Sequence, residues 1–230
     1  KCRFYDDWFV MKARKRANDA DIVVVNHHLF FADLVLRDEG VTDLLPSANT
    51  VVFDEAHHLP DLARQFFGES VSTAQLIELA RDARAAQVLH AKEMPEIADA
   101  AMAMDKAARD VRIALGSGAM RLAQAQFEAK PEFSKALDQL DEKLAALGKL
   151  LAAQEERAEE LRNASNRVGE IREHLSQWRN RDSEGSVRWI ELYSQTAVLN
   201  RTPLDVGPIF AAQVSAEKRA WIFTSATLSV

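Results

Sequence analysis

Val51-Val52-Phe53-Asp54-Glu55-Ala56-His57-His58 is the stretch that decides the reading of this chain. Three apolar, strand-favouring residues run directly into two acids and two histidines. That is the pattern of a buried parallel strand delivering polar groups to its C-terminal edge, and open α/β sheets place their chemistry at that edge. An aspartate there can hold Mg²⁺, directly or through water, and the adjacent glutamate can orient or deprotonate a water that attacks a γ-phosphate. The histidine is placed to report that event to neighbouring segments. Far downstream, Trp221-Ile222-Phe223-Thr224-Ser225-Ala226-Thr227-Leu228 is a second apolar strand, ending in hydroxyls, and is expected to lie in the same sheet as Phe53.

Composition bounds what surrounds these two strands. The chain has 230 residues and 47% hydrophobic content, enough for one sizeable core and part of another. A net charge of −6 excludes a surface that is basic all over, so any nucleic-acid contact must come from a local groove. One cysteine leaves no internal disulfide and fits a reducing cytoplasm. No apolar run approaches the ~20 residues of a membrane span. The chain opens without Met and stops soon after the second strand, and reads as an internal segment of a longer protein.

Working outward, residues 7–20 form an expected amphipathic helix. Phe9, Val10, Ala13 and Ala17 should face inward, with Lys12, Arg14, Lys15 and Arg16 as a solvated basic face or a phosphate-contacting patch. Ile22-Val23-Val24-Val25 reads as a buried strand with Asn26, His27 and His28 at its end. Residues 29–36 have helical spacing, and Pro60 starts a helix over residues 61–67. From Ser70 to Arg181 the sequence is alanine-rich, charged and helical. Its expected breaks are Gly116-Ser117-Gly118, Lys130-Pro131 and, more weakly, Asn163-Ala164-Ser165-Asn166. Phe133, Leu137, Leu140, Leu144, Leu147, Leu151, Ala158, Leu161, Val168 and Leu175 follow heptad-like spacing, weakened at Gly148 and Gly169. That pattern implies long helices packed as a hairpin or bundle. Residues 187–193 read as a strand with Trp189 in the core, and a helix is expected over residues 209–216.

Asp-Glu-Ala-His behind an apolar strand resembles the DEAH form of the Walker-B motif of superfamily 2 helicases, and Ser-Ala-Thr at Ser225, Ala226 and Thr227 resembles their motif III. The full chain resembles the DinG/XPD-like family of DNA helicases. The matching stretches are Phe9 to Arg14, Asp21 to Leu29, Asp54 to His57, Pro203-Leu204-Asp205-Val206 and Thr224 to Leu228, in the family's order. The resemblance implies an α/β fold: a partial parallel-sheet RecA-like motor domain carrying a large, all-helical arch-type insertion. Residues 1–20 would end an iron–sulfur-type region, 21–69 would be the first part of the motor with the DEAH box, 70–186 the arch-like insertion, and 187–230 the return to the motor ending in motif III.

By the same resemblance the protein uses ATP and Mg²⁺ to translocate 5′ to 3′ on single-stranded DNA, unwinding forked or duplex DNA in repair or replication. It would work as a monomer in the cytoplasm. Asp54 would coordinate Mg²⁺, Glu55 would activate water, and His57, Ser225 and Thr227 would couple nucleotide state to domain movement. Asn26 and His27 would sit on the DNA side or in that coupling, or simply form a satisfied polar pair at a strand end. Members of the family often hold an iron–sulfur cluster with four cysteines. Cys2 falls at one of those positions, but Trp8 stands at the final one, and indole neither deprotonates nor coordinates. The sequence has no G-x-x-x-x-G-K-[ST] phosphate loop, so residues 1–230 alone are not expected to hydrolyse ATP.

Two other classes of function fit some of the residues. Without the second strand, Asp54 and Glu55 read equally well as caps of the following helix. A metal-dependent hydrolase would draw on His27, His28, Asp54, Glu55, His57 and His58, although successive strand residues point to opposite faces. A non-enzymatic interaction module would rest on the helical region, which is also where a repair or replication protein would dock.

Overall fold

The computed structural model describes residues 8–38, 44–180, 185–216 and 218–226. In chain order the elements are α1 (Phe9–Asn18), α2 (His27–Asp38), β1 (Thr50–Phe53), a 3-10 turn (Ala56–His58), α3 (Leu59–Phe66), β2 (Glu69–Ser72), α4 (Thr73–His90) and α5 (Pro95–Ala114). They continue with β3 (Met120–Ala123), α6 (Gln124–Glu128), α7 (Pro131–Ala152), α8 (Glu159–Arg179), β4 (Ser186–Leu192), β5 (Ala197–Pro203), α9 (Gly207–Ala216) and β6 (Ala220–Phe223). The chain is therefore α/β, with one parallel and one larger sheet. It divides into two compact units, one made of Lys1–Gly68 with Pro203–Val230 and the other of Glu69–Thr202.

In the first unit β1 and β6 pair in parallel, with Phe53 opposite Phe223 and Thr50 opposite Ala220. Two strands far apart in sequence are thus brought side by side, as their shared apolar-to-polar pattern predicts. Phe53 is buried in an aromatic core with Phe30, Phe31, Leu34 and Leu59. Its ring stacks on Trp221 and Phe223 and meets Phe30 edge-on at 4.9 Å. Such offset and edge-to-face pairs add to the area they bury. Only this face of β1 is covered, since Val52 is 58% exposed; the expectation of a strand buried on both sides is corrected to a half-buried one.

Three local devices fix the elements that flank β1. The Asn26 side chain caps α2 by accepting the Leu29 N–H at 2.8 Å. Pro60 occupies the first turn of α3, where its missing N–H costs nothing. Buried Asp33 accepts the N–H groups of Leu44 and Leu45 and pairs with Arg37 at 2.8 Å, anchoring the segment that leads into β1.

Two sequence expectations in this unit are corrected. Ile22–Val25 forms no strand: among the described residues none pairs with it, and Ile22 and Val24 are 83% and 92% exposed. β-Branched residues favour a pleated, half-covered surface but do not create one without a partner. Helix α1 has no buried residue, and Phe9 and Val10, expected inside, are exposed.

The second unit joins a helical bundle to a sheet. Helix α4 packs on α5 and α8, and α7 packs on the same two, which closes a four-membered ring. The heptad residues Phe133, Leu137, Leu140, Leu144, Leu147 and Leu151 of α7, and Leu161, Val168 and Leu175 of α8, are buried. Alanines fill the α4 and α5 sides of the core, among them Ala80, Ala83, Ala101 and Ala108. Ser72 and Gln75 start α4 with a capping box: Ser72 Oγ accepts the Ala74 N–H and Gln75 Oε1 accepts the Ser72 N–H, satisfying two otherwise orphaned donors.

The sheet runs in the order β2-β5-β4-β3. An all-helical insertion is therefore corrected: four-residue strands β2 and β3 lie inside the alanine-rich stretch and pair antiparallel with β5 and β4. Residues 187–202 stay in this sheet, so the chain leaves the second unit at residue 203. Helix α8 runs unbroken through Asn163–Asn166; the bend falls instead at residues 153–158, between α7 and α8. Trp189 is not a core residue but lies half-exposed under the Arg121 guanidinium at 4.2 Å. Trp178 takes the core position, 3% exposed, and donates Nε1–H to the Asn200 carbonyl. Arg112, 9% exposed, donates to the carbonyls of Gly116 and Tyr193, tying the end of α5 to the β4–β5 turn.

Candidate functional site

The C-terminal ends of β1 and β6 converge in the first unit. The parallel ladder does not stop with the strands: Thr224 N–H donates to the Phe53 carbonyl at 2.8 Å, and Ala56 N–H donates to the Thr224 carbonyl at 2.9 Å. These two bonds straddle Asp54 and Glu55 and force a sharp corner between them. Glu55 adopts φ 51° and ψ 47°, the left-handed region that side chains other than Asn, Asp and Gly rarely enter.

That corner separates the two carboxylates. Asp54 turns one oxygen, Oδ1, toward protein donors: the Glu55 N–H at 3.0 Å and the Thr224 hydroxyl at 3.0 Å. Glu55 is turned toward the segment after β6, with Oε2 at 3.4 Å from Ser225 Oγ and 3.2 Å from His57 Nδ1. His57 Nδ1 lies 2.8 Å from Ser225 Oγ. With a proton on Nδ1, the ring donates to Ser225 Oγ and the Ser225 hydroxyl donates to Glu55 Oε2, so two hydrogens close a relay from His57 through Ser225 to Glu55. His57 and Glu55 are about 38% and 51% exposed in their side chains, so the group faces solvent and is open to a ligand. His58 is next to His57, ring centroids 3.9 Å apart.

Of the residues singled out from sequence, Asp54, Glu55, His57 and Ser225 come together here. Ala226 follows in an exposed turn. Asn26 is engaged as the cap of α2, and the His27 ring lies 5.9 Å from that of Phe53. Thr227 and Cys2 lie outside the described residues. The six-residue metal cluster of the hydrolase alternative does not form: among the described residues no three His, Cys, Asp or Glu side chains group closely enough to hold an ion. The sequence pattern places Thr224 among the hydroxyls that end the second strand but assigns it no role of its own; a hydroxyl directly after an apolar strand is the signal that marks it.

No family model matches the chain. It is 38% identical over 229 residues to the ATP-dependent DNA helicase YoaA of Escherichia coli (strain K12), and 36% identical over 230 residues to the protein of that name from Haemophilus influenzae. The chain is a relative of the DinG/XPD-like helicases. A shorter match, 46% identical over 55 residues, is to the ATP-dependent DNA helicase DinG of Photobacterium profundum, and covers 24% of this chain and 8% of that protein. Each YoaA match takes in 100% of this chain and 36% of the relative. The chain thus spans about a third of the length of the two YoaA relatives it matches. Among the described residues no helix is long and apolar enough to cross a membrane.

Proposed function

We propose that this chain supplies the DEAH-box part of an ATP-dependent DNA helicase, which couples Mg-ATP hydrolysis to 5′-3′ movement on single-stranded DNA and to unwinding of forked or duplex DNA in repair or replication. The observation that carries this reading is the join between β1 and β6, where Asp54, Glu55, His57 and Ser225 meet across 168 or more residues of sequence. A pair of acids that only capped the next helix would not need a hydroxyl from a distant strand. In this reading the first unit is part of a RecA-like motor domain and the second is the arch-like insertion, a wall beside the DNA path or a dock for a repair or replication protein.

Asp54 suits Mg²⁺ of the kind shared with a nucleotide, which uses one or two carboxylates together with phosphates and water rather than a closed protein cage. Bound there, the ion would neutralise charge developing on the transferred phosphoryl oxygens. The chain's own residues do the rest. Asp54 offers Oδ2 while Oδ1 is held by its two donors. Glu55 orients or deprotonates the attacking water. His57 and Ser225 link the Glu55 carboxylate to the end of β6, so a change at the nucleotide becomes a change in a neighbouring segment. A single cysteine gives the chain at most one thiolate toward an iron–sulfur cluster, and no step is assigned to one.

ATP hydrolysis by the full-length protein, with and without single-stranded DNA, tests this directly against Glu55→Gln. The variant keeps the side chain's shape and removes the base, so DNA-stimulated turnover should fall by roughly 10²–10⁴-fold. Residues 1–230 alone serve as the blank. Turnover untouched by the substitution would mean that the Asp-Glu-Ala-His box is structural.

A further inference from the structure

We propose that Thr224 is a positioning residue for Asp54, fixing which carboxylate oxygen faces the metal; the inference rests on the Mg-ATP reading above. Thr224 Oγ1 lies 3.0 Å from Asp54 Oδ1 and 3.2 Å from the Phe53 carbonyl oxygen. It has one hydrogen to give. The Phe53 carbonyl already accepts the Thr224 N–H at 2.8 Å, whereas a carboxylate facing a hydroxyl oxygen with no proton between them would be repelled. The hydrogen therefore goes to Asp54, as a charge-assisted bond of the stronger kind.

With the Glu55 N–H on the same atom at 3.0 Å, Oδ1 carries two donors. Among the described residues Oδ2 accepts none. A carboxylate at a strand end is otherwise free to rotate about its last bond and present either oxygen, so the two donors select one orientation. The backbone of Thr224 is itself pinned on both sides, by its N–H to Phe53 and its carbonyl to Ala56. The hydroxyl is thus held by the sheet rather than by a mobile loop, the support a metal-binding carboxylate needs if the site is to be preorganised. The device also places the selection of the metal-facing oxygen on the residue that directly follows β6 and precedes Ser225.

The test is nucleotide-dependent binding of Mn²⁺, a paramagnetic stand-in for Mg²⁺, to the full-length protein with ADP, read by electron paramagnetic resonance. Four proteins are compared: wild type, Thr224→Val, Thr224→Ser and Asp54→Asn. Valine keeps the branched shape and loses the hydroxyl; serine keeps the hydroxyl. Thr224→Val should weaken Mn²⁺ binding about tenfold, in line with loss of a partner to a metal ligand, while ADP binding in EDTA stays at the wild-type level. Thr224→Ser should restore Mn²⁺ binding to near wild type. A Thr224→Val protein that melts like wild type and binds Mn²⁺ as tightly overturns the proposal, as does a serine variant as weak as valine. If Asp54→Asn also leaves Mn²⁺ binding intact, the metal role of Asp54 itself is wrong, a different failure from that of Thr224.

Discussion

Glu55 is the one non-glycine residue with positive φ among those described. For a side chain of its kind the left-handed conformation costs roughly 1–2 kcal/mol, and the ladder bonds on either side of the corner are what impose it. The cost has a use, because the turn aims the Glu55 carboxylate at Ser225 and away from Asp54. Strain of this sort gathers where function over-determines geometry. It can be measured apart from activity. Asparagine tolerates this region and valine does not, so urea unfolding should find Glu55→Asn at least as stable as wild type and Glu55→Val less stable by about 1–2 kcal/mol. Equal shifts for the two would show that the corner carries no strain. Both variants should fail to hydrolyse ATP in the full-length protein.

Helices α7 and α8 show how the same residue type acts oppositely on neighbouring elements. A Cβ added to Gly148 would meet Val168 Cγ1 at 2.8 Å, whereas one added to Gly169 would meet nothing within 4 Å. Glycine costs a helix interior about 1 kcal/mol relative to alanine, and overpacking a filled core costs typically 1–3 kcal/mol. Gly169→Ala should therefore raise the thermal midpoint of the chain and Gly148→Ala should lower it; a gain in both would mean that Val168 yields freely. From sequence both glycines looked like the same weakness in the heptad seam, because periodicity records which face a residue occupies and not how close the partner backbone comes. The heptad run itself was legible, as were Pro60, Pro131 and the apolar-to-polar ends of β1 and β6, since each is a local pattern with a local cause. Strands β2 and β3 were not, because Glu-Ser-Val-Ser and Met-Arg-Leu-Ala have little strand preference and become strands by pairing with β5 and β4. Ile22–Val25 failed the other way, with strong preference and no partner. At the site, residue types and order were readable in the sequence, but the left-handed corner that divides the two carboxylates, and the grip of Thr224 on one of them, arise only when strands 168 or more residues apart meet.

The second unit has its own core of leucines, alanines and aromatics and its own sheet, and it is one continuous stretch, Glu69–Thr202. Expressed alone, that stretch should give a helical circular dichroism spectrum and a single cooperative melt; a non-cooperative melt would show that it depends on the rest of the chain. Its first and last strands are partners, with Glu69 opposite Arg201 and their side chains bridged at 3.2 Å. Chain that enters and leaves through paired strands presents its surroundings with two ends already side by side. If this stretch folds first, the remaining chain has to close only a short gap instead of a long loop, and closure entropy scaling makes the difference roughly 3 kcal/mol. The order of folding is then written into that strand pair: a defect deep in the bundle delays the assembly of the Asp54–Glu55 corner without touching any of its atoms. The same pair also makes the stretch an exchangeable cassette. A two-residue turn joining the strands in its place would let the rest of the chain inherit a different insertion, or none.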